Sequence, residues 1–178
     1  SMEAIVVTFE KRVGALERLF LAPISFSSIL IGKVLGGIIF GSVISLVMIF
    51  IGIFFLGLSI SYPLVFLLSL FLTLLSLSSL GAMVAVSVKE VFEAQTLSNY
   101  FRFPMLFLCG VFMPVNLLPF PLNYIAYLFP LTYSVDLFRQ TLLGPMNTFI
   151  SFLDILVLLF FSIFFLIFSE RQLRKNVE

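Results

Sequence analysis

Residues 101–139, FRFPMLFLCGVFMPVNLLPFPLNYIAYLFPLTYSVDLFR, are apolar enough for lipid but too broken by proline to cross it twice. Residues 97–115 supply about 19 positions, enough for one crossing, and Pro114 is expected to close that helix. Only about 14 residues then lie between 116 and 129, with Pro119 and Pro121 among them and Pro130 behind, so a second full crossing does not fit. The chain must therefore turn back toward the side it came from. Lipid offers no partner for freed N–H and C=O groups, so such a dip is tolerated only against protein or beside a water-filled cavity.

Residues 131–143 mix Thr132, Ser134, Asp136, Arg139, Gln140 and Thr141 among leucines and stop at Gly144-Pro145. They read as a short interfacial helix on the side where the dip begins and ends. Asp136 and Arg139, three apart, can pair with each other, either as a solvated local pair or within a transport path.

Charged residues make up 11% of the 178-residue chain and hydrophobic residues 61%, with a mean hydropathy of +1.23. Soluble domains carry about 25% charged residues, so this is an all-α integral membrane chain. A net charge of +1 leaves no basic face for nucleic acid. The single cysteine, Cys109, cannot form an internal disulfide and reads as small apolar packing. Residues 1–9 run straight into charged sequence, so no leader peptide is expected.

In residues 8–22, Phe9, Val13, Leu16 and Phe20 share one helical face, while Glu10, Lys11, Glu17 and Arg18 fall largely elsewhere. Such a segment lies on a membrane surface, and Pro23 ends it. Residues 34–58 and 64–88 are each long enough to span. The spacings Gly32-xxx-Gly36 and Gly37-xxx-Gly41, continued by Ser45, offer another helix a close approach. Ser69, Thr73, Ser76 and Ser79 form a mild polar line on the second span, suited either to interhelical hydrogen bonds or to a substrate path.

Lys89, Glu90 and Glu93 read as a solvated loop, and Arg102 as a side chain reaching the headgroups. Residues 149–168 form the last span. Asp154, one turn in, is placed either to meet the exposed N–H groups of that helix end or to couple protons or substrate. Four crossings put nine of the ten basic residues on one side, leaving only Arg139 opposite. The positive-inside rule makes the first side cytoplasmic, with both termini and residues 169–178 there and the broken stretch opening outward.

The order and spacing of Pro104, Gly110, Phe112, Pro114, Leu118-Pro119 and Pro130-Leu131-Thr132-Tyr133 leading to Asp136 and Arg139 resemble the ABC-2 type permease family. These are the membrane subunits of ATP-binding cassette exporters of drugs, lipo-oligosaccharides and polysaccharides. Upstream, Glu10, Gly14, Leu16, Glu17, Leu19, Pro23-Ile24-Ser25, Gly32 and Lys33 are similar to the family's cytoplasmic coupling helix, with Ala15 and Phe26 departing from its pattern.

The resemblance implies a single transmembrane domain over 1–178. It has four transmembrane helices, an N-terminal amphipathic cytoplasmic coupling segment over 1–25 and an outer re-entrant hairpin with an interfacial helix over 116–144. The family has six spans, so two N-terminal ones are expected to be missing here. It further implies a plasma-membrane permease working with a second copy or a paralogue and with a separate ATPase. Glu10, Arg12, Gly14, Glu17, Arg18 and Pro23 would meet that ATPase. Pro104, Gly110, Pro114, Pro119, Pro130, Thr132, Tyr133, Asp136 and Arg139 would form the outer gate, and Ser69, Thr73 and Ser76 a possible substrate path.

No cofactor is expected in the chain itself. The only Gly-Lys, Gly32-Lys33, has Ser27 where a phosphate loop needs its first Gly and Val34 where it needs a hydroxyl. Without His, a zinc-hydrolase motif is impossible, and an acid dyad of Asp136 and Asp154 is conceivable but weak. A secondary transporter would place an acidic residue at mid-membrane, yet none occurs between Lys33 and Lys89. A membrane scaffold would have no need of the broken hairpin.

Overall fold

The computed structural model describes residues 26–88, 90–144 and 147–175, and their regular structure is entirely helical. The coupling residues Glu10, Arg12, Gly14, Glu17, Arg18 and Pro23 lie outside the described residues, as does Lys89.

Helix α1, Phe26–Leu56, is an unbroken apolar run without proline. Helix α2, Pro63–Ser87, starts with proline at its first turn, where the missing N–H costs nothing. Helix α3, Val91–Leu108, opens on a capping box in which Glu90 and Glu93 exchange side-chain and backbone bonds, so Glu93 lies in its first turn rather than in a loop. After a 3-10 turn at Val115–Leu117 come the short α4, Leu122–Ala126, then α5, Pro130–Leu143, and α6, Thr148–Lys175.

Three segments are long and apolar enough to cross a membrane: Leu30–Leu56, Pro63–Ser87 and Thr148–Gln172. The crossing expected over 97–115 is shifted, because α3 begins at Val91 and stops at Leu108. Pro104 sits inside the helix without ending it, and Pro114 lies beyond its end. Termination falls to Gly110, whose φ of +90° belongs to a region that side chains with a Cβ rarely adopt. At about 27 Å, α3 falls just short of a bilayer core of about 30 Å.

Helix α2 is central, packing against α1, α5 and α6. Leu30, Val34, Ile38 and Ala82 close the α1–α2 seam, with Ser78 Oγ donating to the Val34 carbonyl at 2.9 Å. Of the expected small-residue stripe, Gly41 meets the Leu74 side chain, where an added Cβ would lie 2.6 Å from it. Gly32 and Gly36 face open space within the chain. The inner cluster joins Leu80, Val84 and Ala85 of α2 to Ala94 and Met105 of α3 and Phe165 of α6.

Helix α5 runs antiparallel to α2 and α6. Its neighbours climb in order: Tyr133 beside Phe161, Leu137 between Leu72 and Leu158, Phe138 against Phe66, Gln140 bonded to Ser151, and Thr141 accepting from the Ser61 N–H. The cause is the face formed by Pro130, Ser134, Leu137 and Thr141, all buried and spaced to lie along one side of a helix.

Candidate functional site: a polar pocket beneath the broken segment

Each proline and left-handed turn in the broken segment frees carbonyls that a helix would have engaged, and α5 carries donors for three of them. Thr132 Oγ1 donates to the Ala126 carbonyl at 2.5 Å, and Tyr133 Oη to that of Tyr127 at 2.9 Å. Arg139 Nη2 donates to the carbonyl of Gly110. These bonds hold α4 and the end of α3 against α5 and leave a partly open cavity of about 180 Å³ between them.

The cavity brings together most of the residues assigned to the outer gate. Gly110, Pro114, Thr132, Tyr133, Asp136 and Arg139 line it, whereas Pro104, Pro119 and Pro130 do not. Pro119 belongs to the turn before α4, its carbonyl accepting from the Leu122 N–H at 2.8 Å, and Pro130 is buried at the start of α5. Asp136 and Arg139 find other partners than each other. Arg139 turns to Gly110, while Asp136 accepts from Gln140 Nε2 at 3.3 Å. Gln140 in turn accepts from Ser151 Oγ at 2.8 Å and from the Asn147 N–H, tying α5 to the start of α6.

Six further lining residues were not assigned to the gate: Cys109, Val115, Asn116, Tyr127, Val135 and Asp154. Cys109 is a free, buried thiol at the end of α3. Asp154 lies beyond the first turn of α6, where N–H groups are already engaged in the helix. The exposed N–H groups are met instead by Asn147 Oδ1, which accepts from Phe149 and Ile150. Asp154 is only 6% exposed and stands beside Asp136, the two carboxyls sharing a side-chain hydrogen bond. Its signal in sequence was its solitude, the one carboxylate in the apolar run 149–168.

Ser69, Thr73 and Ser76 lie outside this pocket and are buried within the chain. Ser69 and Thr73 each donate to the carbonyl four residues earlier in α2, and so does Ser79. Ser76 Oγ is buried without a partner. The helix-to-helix bond of α2 toward α1 comes from Ser78, on the opposite side of α2 from Ser69 and Ser76 and omitted from the polar line.

The sequence profile of the ABC-2 type transporter family matches residues 1–143. A curated relative, ABC transporter G family member 20 of Dictyostelium discoideum, is 28% identical over 185 residues, covering 100% of this chain and 25% of that protein. Nodulation protein J of Rhizobium leguminosarum bv. viciae is 51% identical over 41 residues, 23% of this chain and 16% of that protein. The chain thus spans a quarter or less of the length of either relative. No solved structure matches.

Proposed function

The chain belongs to the ABC-2 type transporter family, and from that premise we propose that it is part of the permease of an ATP-binding cassette exporter that moves an amphipathic substrate outward. The observation that carries this reading is the hairpin of α4 and α5, with its freed carbonyls answered by α5 side chains and a polar pocket enclosed against α6. Irregular backbone of this kind belongs in a membrane only where it is covered by protein or lines a cavity.

In this reading α1, α2 and α6 cross the membrane, α3 crosses with help from the coil that follows it, and α4–α5 re-enter from the outer side. Both termini face the cytosol at the plasma membrane. A separate ATPase subunit docks on residues 8–22, and a second permease copy or a paralogue completes the pathway. Glu10, Arg12, Gly14, Glu17, Arg18 and Pro23 transmit ATPase closure, and the outer gate opens at the pocket. Ser69, Thr73 and Ser76 would meet substrate only when α2 parts from its neighbours.

Purification of the protein from its native membrane, scored for an accompanying nucleotide-binding subunit, tests the assignment together with ATP-dependent export from vesicles. Glu17→Ala is expected to leave ATP hydrolysis running while export falls. Unchanged export at normal expression removes the coupling role. Impermeant labelling at Asn123 is expected from outside only, and labelling from the cytosol would overturn the topology.

A further inference from the structure

Two carboxyls meet across the seam between the hairpin and the last helix. Asp136 comes from α5 and Asp154 from α6, both line the pocket, and their side chains share a hydrogen bond. Two carboxylate anions have only acceptors to offer each other, so that bond requires one proton, held by the pair rather than by either residue alone. With the proton in place the pair carries one negative charge, which the Arg139 guanidinium in the same pocket balances. Without it two like charges stand side by side, one of them on a residue that is almost wholly buried, and both the bond and the balance are lost.

Among the described residues, no second cation faces the pair. Helix α5 brings Tyr133 and Arg139, the end of α3 brings Cys109 and the end of α4 brings Tyr127. Glu93, Tyr100 and Arg102 of α3 do not line the pocket. Helix α2 carries no titratable side chain, and α1 only Lys33, at the end that packs with Leu166, about three turns along α6 from Asp154. Glu170 and Arg171 sit at the far end of α6 itself. The pair therefore answers to its own proton and to Arg139.

We propose that this carboxyl pair is a proton-binding site that latches the hairpin: with its proton α5 is held to α6 and the pocket stays narrow, and loss of the proton parts the two helices and widens it. The latch rests on the transport reading only for what the opening serves.

Cys109, the one thiol of the chain and a lining residue of the pocket, reports the widening. The 178-residue chain, purified from its native membrane into nanodiscs, is labelled with a small neutral maleimide between about pH 5.5 and pH 8.5, beside Asp136→Asn and Asp154→Asn, and modification of Cys109 is quantified by peptide mass spectrometry. An asparagine on either side supplies an N–H donor to the remaining carboxylate, so each variant keeps the bond and the charge balance with no proton to lose. Dividing the parent's rate by a variant's at the same pH removes the thiol's own ionisation. That ratio is expected to rise about tenfold across the range, the worth of a charge-assisted hydrogen bond, and any rise above about threefold supports the latch. A smaller rise, or none, overturns it. Asp136 is exposed and Asp136→Asn is expected to fold normally, so it decides the matter if Asp154→Asn does not fold.

Association with a nucleotide-binding subunit is scored on the same preparations. Its absence with the pH response intact removes the transport reading alone, whereas a flat ratio in a preparation that carries the subunit removes only the latch.

Discussion

Replacing Thr132 by Val keeps the side-chain volume and removes one donor from the hairpin. The Thr132 hydroxyl sits 2.5 Å from the Ala126 carbonyl, and both residues are buried, Ala126 completely. Water cannot take over the abandoned oxygen, so the variant carries the full penalty of an unsatisfied buried acceptor, about 1–3 kcal/mol. Tyr133→Phe provides the comparison. Its bond to the Tyr127 carbonyl is exposed, water substitutes, and the loss is about 0.5–1 kcal/mol.

The single thiol of the chain is buried in the same pocket and reports hairpin opening directly. If opening and closing are fast compared with labelling, a cost of 1–3 kcal/mol raises the rate at which a small maleimide labels Cys109 by about 5- to 150-fold. Tyr133→Phe should raise it by only about 2- to 5-fold. Thr132→Val labelling at the rate of the unmodified protein would refute the claim that this hydroxyl holds the hairpin closed.

Leu137, completely buried between Leu72 and Leu158, is expected to cost about 2 kcal/mol as Leu137→Ala. This is the low end of the range for soluble proteins, because the unfolded chain in lipid is also apolar. The exposed Leu143→Ala should fall within about 0.5 kcal/mol of the parent in the same detergent-unfolding titration. Ser78→Ala removes the bond to the Val34 carbonyl and should lower stability by about 0.6 kcal/mol, the usual worth of a hydrogen bond between membrane helices, measured the same way. Gly110→Ala forces a Cβ onto a φ of +90° and places it 3.2 Å from the Val115 side chain; the expected loss is about 1–3 kcal/mol, against almost none for Gly144→Ala, which meets open space.

Hydrophobic run length alone located α1, α2 and α6, because a long apolar helix in lipid has few alternatives. Turn chemistry located the ends of α5, with Pro130 at its first turn and Gly144 after its last. Where the reading slipped, a local device outweighed hydropathy. Helix α3 starts earlier than its apolar run because Glu90 and Glu93 form a capping box, and it ends earlier because Gly110 turns left-handed before Pro114 is reached. Of the two roles open to Asp154, the helix-end one is filled by Asn147, and Asp154 lines the pocket.

The polarity of α5 is the most informative signal in the sequence. A helix with Thr132, Tyr133, Asp136, Arg139 and Gln140 among leucines looks like one lying at a water surface. Its buried stripe of Pro130, Ser134, Leu137 and Thr141 nonetheless packs it lengthwise against α2 and α6, and the polar side chains then face the interrupted backbone beside it. An apolar helix in this place would strand the carbonyls of Gly110, Ala126 and Tyr127 away from any donor. The prolines and the polar helix are therefore two halves of one requirement. A chain that breaks its helix away from water must bring its own donors, and the space left between break and donors becomes the pocket.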